Sequence, residues 1–112
     1  MTDHPAAAAA LIRDLAEATS DPRGAYAGLA DVASVTESLL ALARNLEDAL
    51  LHLARHIEAR DDDWATTDDV RLPRQYTREA SGKIRSAQAD AHNMARALGK
   101  SVEALGHLKP AP

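Results

Sequence analysis

From Leu29 to Ile57 an apolar or small residue returns every four and then every three positions without a break: Leu29, Val32, Thr36, Leu39, Ala43, Leu46, Leu50, Leu53 and Ile57. A mean period of 3.5 keeps a single stripe of an α-helix turned toward a neighbour over several heptads, and it cannot serve a β-strand, whose faces alternate with period two. The same 4–3 spacing recurs at Ala80, Ile84, Ala87, Ala91, Met94, Leu98, Ser101, Leu105 and Leu108. Valine and isoleucine are sparse and never alternate with polar residues over a strand-length run, so the chain reads as all-α.

Local signals divide the chain into three helices, at about residues 5–19, 22–60 and 74–108, within one domain spanning 1–112. Pro5 fits the first turn of the first helix, where its missing N–H costs nothing, and Asp21-Pro22 can cap and open the second. Five aspartates between Asp61 and Asp69, followed by Leu72-Pro73, mark an acidic loop over 61–72. Lys109-Pro110-Ala111-Pro112 ends the third helix.

A leucine-rich seam facing an alanine-rich one suits a long antiparallel helical hairpin with a short N-terminal helix, as a three-helix bundle or half of a dimeric four-helix one. In that register Leu46 and Leu50 are expected at the buried middle, against the Ala87–Met94 portion of the third helix. The second helix is apolar well beyond its seam, however, at Val35, Leu42 and Ala49 on one flank and at Ala33, Leu40 and Ala54 on the other. The first helix is too short to cover the surplus. Large contiguous apolar patches mark interfaces, so Val35, Leu40, Leu42 and Leu51 are the candidate partner-binding residues, and the expected partner is a second copy or another helical protein.

Charge is distributed unevenly. Residues 1–70 hold fourteen acids and five bases, whereas residues 71–112 hold eight bases and three acids. Arg71, Arg78, Arg85 and His92 recur every seven residues beside the third helix's seam. With Arg96 these arginines form a candidate anion-binding set, the footprint of a nucleic-acid-binding or regulatory protein. The same stripe also suits plain neutralisation of the acidic second helix and loop. Overall charge is −4, and no aromatic is interleaved with the bases, which favours neutralisation.

Little points to catalysis. There is no glycine-rich phosphate loop, nucleophile elbow or Ser/His/Asp arrangement, and no cysteine to act as nucleophile, thiolate ligand or disulfide partner. Asp48, His52 and His56 share a helix face at i, i+4 spacing, which can hold zinc, but carboxylate–histidine pairing on a solvated face explains them as well. The chain is therefore read as non-enzymatic, without cofactor or metal. The N-terminal apolar run follows Asp3 and ends at Arg13, lacking the basic start of a signal peptide, so a cytoplasmic protein with no membrane association is expected. Trp64 in the loop invites comparison with the WXG100 secreted family, but Ala65-Thr66 follows it, and no tyrosine lies beyond Tyr76 to supply that family's C-terminal signal.

The paired segments LARNLEDALLHLARHIEAR and IRSAQADAHNMARALGKSVEAL resemble the small alanine-rich helical-hairpin accessory proteins of actinobacterial plasmids and integrating elements. The resemblance covers about two thirds of the chain through composition and heptads, and it implies an accessory role in replication, transfer or regulation of such an element. It carries over no individual functional residue.

Overall fold

The computed structural model describes residues 3–21, 28–66 and 72–111. Its elements are α1 (Asp3–Ala18), α2 (Leu29–Ala59) and α3 (Pro73–Leu105), with no strand among the described residues. The opening turns expected for the second helix at 22–27 lie outside the described residues, as do 67–71 of the acidic loop, Arg71 included.

Local chemistry sets the ends. Pro73 occupies the first position of α3, and the Gln75 side chain accepts the Leu72 N–H at 3.1 Å while the Gln75 N–H donates to the Leu72 carbonyl at 3.0 Å. Two otherwise orphaned N-terminal groups are thereby satisfied. At the far end of α2 the Arg60 N–H donates to Ile57 O, the Asp63 N–H donates to Arg60 O, and the Arg60 guanidinium bridges to Asp63 at 3.2 Å. α3 stops at Gly106, earlier than the prolines alone suggest, where the His107 and Leu108 N–H groups turn from the i→i−4 ladder to tighter i→i−3 bonds onto the Ala104 and Leu105 carbonyls.

α2 packs lengthwise on α3; among the described residues no Cα of α1 comes within 8 Å of either. The cross-helix polar contacts fall in reversed order along the two helices. Arg74 pairs with Asp61 and Asp62, Thr77 meets Asp61, Arg85 pairs with Glu58, and His92 meets Glu47.

The seam itself differs from the expected one. The residues that recur at 4–3 spacing and are buried or half-buried are Thr36, Leu40, Ala43, Glu47, Leu50, Ala54 and Ile57 on α2, with Asp61 just past its end. On α3 they are Thr77, Ser81, Ile84, Gln88, Ala91, Ala95, Leu98, Val102 and Leu105. Each helix is turned by one position at every second contact, so Ala54 replaces Leu53 and Ala95 replaces Met94. Leu46, expected at the buried middle, is instead 39% exposed, while Leu50 beside it is half-buried. The reason is steric. Ala43, Ala54, Ala91 and Ala95 together with Ser81 and Thr77 let the two backbones approach along a narrow line, a contact that leucines at those positions would hold open. Buried hydroxyls cost nothing here: Thr77 lies against Asp61 and its own helix's Arg74 carbonyl, and Ser81 donates to Arg78 O at 3.3 Å.

Candidate protein-interaction surface

In a helix of 3.6 residues per turn, the residue just before each alternate seam position lies about 80° from the seam centre. On α2 these residues are Leu39, Leu46 and Leu53; on α3 they are Ala80, Ala87, Met94 and Ser101. Because the contact order reverses between the helices, both sets fall on one side of the pair. The ion pairs of Arg74 and Arg85 lie on the other side. The α2–α3 pair is thus two-faced.

The apolar face is open. Leu42 is 37% exposed, Met94 43% and Leu53 47%, and the buried apolar residues among those described are just four alanines, Ala43, Ala54, Ala91 and Ala95. α1 adds a partial wall beyond α2. Ala8, Ala9 and Ile12 border a groove of about 860 Å³ whose opposite side is Ser38, Ala41, Leu42, Asn45, Leu46 and Ala49. No residue of α1 is buried, and Leu11 is more exposed than Ile12.

Of the four sequence-derived partner residues, the structure places two on this face. Leu42 borders the groove, and Val35 lies half-buried on the same flank of α2. Leu40 is a seam position against α3, and Leu51 is half-buried on the flank that carries the ion pairs. The residues that sequence reasoning missed are Leu46, Leu53 and Met94, which it assigned to the seam. A signal was available: Glu47 and Gln88 sit one position beyond Leu46 and Ala87, and Glu47 needs the cross-helix basic partner that His92 supplies.

The basic stripe is occupied in part, at Arg85 and His92. Arg85 makes a two-pronged pair with Glu58, Nε and Nη2 each 2.7 Å from a carboxylate oxygen. That hydrogen bond is the chief reason the Glu58 carboxyl is held below its ordinary range; the attraction of Arg85, a Ser81 hydrogen bond and Arg55 act in the same direction against partial desolvation. Arg74 is raised by Asp62 and Asp61, and His92 Nδ1 lies 2.8 Å from Glu47. Among the described residues Arg78 and Arg96 have no ion pair, but they are separated along α3: Arg78 stands near Glu58 and Asp61, whereas Arg96 borders a mixed-charge cleft with Arg44, Asp48, Lys100 and Glu103. The candidate anion-binding arginines are not gathered into one site.

Trp64 lies at the bend end of the pair, lining a pocket of about 500 Å³ with Ile57, Pro73 and Tyr76. His52 and His56 are exposed on α2, and no cluster of three metal-ligating side chains occurs among the described residues. No described helix is long and apolar enough to cross a membrane. Comparison with protein-family models, curated proteins and solved structures returns no match.

Proposed function

We propose that the protein is a non-enzymatic interaction module that acts as a homodimer, an antiparallel α2–α3 hairpin joining its copy through the apolar face to make a four-helix bundle. One observation carries this reading: among the described residues the buried apolar set is four alanines, while Leu46, Leu53 and Met94 stand open beside it. Full burial of a leucine is worth about 1.5–3 kcal/mol, so a chain that leaves several open forgoes a large part of a small domain's stability.

Area supports the same conclusion. A folded chain of 11.9 kDa exposes roughly 5,900 Å² by the usual scaling. This one exposes 8618 Å², an excess of roughly 2,700 Å² over that expectation, shared between the open face of the α2–α3 pair and the undocked α1. A standard interface buries about 1,600 Å² counted over both partners, so the surplus on one chain is ample for a stable pair.

The scattering of the candidate arginines, with Arg85 engaged by Glu58 and Arg78 set apart from Arg96 along α3, supports protein contact over nucleic acid as the chain's business. An accessory or regulatory role in a mobile element fits such a dimer, with the dimer as its scaffold. Sedimentation equilibrium at micromolar concentration tests the reading. The expected mass is twice 11.9 kDa; a single-chain mass across the concentration range would sink it.

A further inference from the structure

We propose that the two copies are related by a two-fold axis running parallel to α2 and α3, so that α2 of each chain lies over α3 of the other. This rests on the self-association reading and specifies how the partner sits. The apolar face is a ridge beside a trough. Leu39, Leu46 and Leu53 form the ridge on α2, and the corresponding α3 positions are Ser101, Met94 and Ala87. The contacts Glu47–His92 and Glu58–Arg85 fix the levels of the two helices. Averaging the two and carrying the level along at the equal rise of both helices puts Leu39, Leu46 and Leu53 each within about a residue of the levels of Ser101, Met94 and Ala87.

Two axes can bring such a face against its own copy. One lies across the helices and sets ridge on ridge: leucines meet leucines along α2, while along α3 small residues meet small residues. The α2 helices are then wedged apart where the α3 helices need to close, and neither can tilt without opening the alanine seam of its own chain. The other axis lies along the helices. It preserves every level and exchanges ridge for trough, so Leu53 stands over the partner's Ala87, Leu39 over the partner's Ser101, and Leu46 beside the partner's Met94. Large then meets small at two levels out of three, as close packing of helices requires. The second copy is the occupant because this face is complementary to itself in this one orientation, and because the surplus area exceeds what a stable pair buries.

The chain has no cysteine, so single thiols report without background. Leu46→Cys and Met94→Cys are made separately, given tags of different mass, mixed, and oxidised after exchange. Across neighbouring helices the two thiols come within disulfide reach, whereas like residues sit on the bundle diagonal, beyond the roughly 7 Å Cα limit. The expected result is a disulfide between unlike chains in the mixture and none in Leu46→Cys alone. A self-linked Leu46→Cys dimer overturns the proposal in favour of ridge on ridge. A sample dimeric by sedimentation that gives neither product also overturns it, while leaving self-association standing. A monomeric mass for the unmodified chain removes both. Leu53→Cys mixed with Ala87→Cys repeats the test at a second level, should either first variant fail to fold.

Discussion

Size at single positions decides which contacts hold this molecule together. Ala43 is fully buried in the seam of α2 against α3, so Ala43→Leu should overpack it and lower stability by about 1–3 kcal/mol, read as a lowered denaturation midpoint. Leu46 has the opposite character. In dilute monomer Leu46→Ala should move the melting temperature little, since the side chain is already 39% exposed. In the dimer it truncates two interfacial leucines, and the dissociation constant should rise at least about tenfold, the equivalent of 1.4 kcal/mol. Equal effects on melting and dissociation would return Leu46 to the seam. Charge at Glu58 gives a pH signature. Its folded pKa is lowered from 4.5, chiefly by the Arg85 hydrogen bond, so its contribution is present above the unfolded value and is lost as pH falls through the folded one. Melts of Glu58→Gln and the parent should therefore differ at pH 7 and converge in acid; a gap that widens on acidification would contradict the pairing.

Elements differ in what anchors them. α2 and α3 share a seam, but α1 contributes no buried residue, and a helix of its length is marginal in water without tertiary support. Amide exchange should consequently be fast throughout α1 and slowest near Ala54 and Ala91, which mass-resolved exchange can read; comparable protection in α1 would mean that it docks firmly. The three helices were legible in the sequence because 4–3 spacing and Pro73 act locally, although α3 ends at Leu105, short of the stop expected at about residue 108. The identity of the seam was not. A heptad allows two adjoining stripes, one through Leu46 and Leu53 and one through Glu47 and Ala54. Hydrophobicity favours the first, and only close approach of the backbones selects the second. Two residues bordering the open face, Val35 and Leu42, could be read from excess width, whereas Leu46, Leu53 and Met94 were hidden by the more familiar role of seam residues. The reversed matching of acids at 47, 58 and 61 with bases at 92, 85 and 74 was the sequence's own pointer to the correct stripe.

At the scale of the whole molecule the chain is a rod, 69 × 24 × 24 Å, with a radius of gyration of 19.2 Å, against about 13 Å for a compact chain of this length. A dimer built about the long axis grows thicker rather than longer, so scattering should report a maximum dimension near that of one chain and a cross-section that increases with concentration. The melting temperature should rise with concentration as well, because association stabilises only the folded state.

The reversed ladder of polar contacts also bears on the order of folding. Its rungs are separated along the chain by 16 residues at Asp61–Thr77, 27 at Glu58–Arg85 and 45 at Glu47–His92. Closing the longest of these loops costs about 1 kcal/mol more than closing the shortest, so zipping should begin at the bend and end at the open tips. Ala54 and Ala43 are both fully buried on α2, one near the bend and one further from it, and glycine at either costs about 1 kcal/mol in helix propensity alone. Under concentrations that keep the chain monomeric, Ala54→Gly should chiefly slow folding and Ala43→Gly should chiefly hasten unfolding, as separate arms of a chevron record. Equal slowing by the two would mean that the ladder closes all at once.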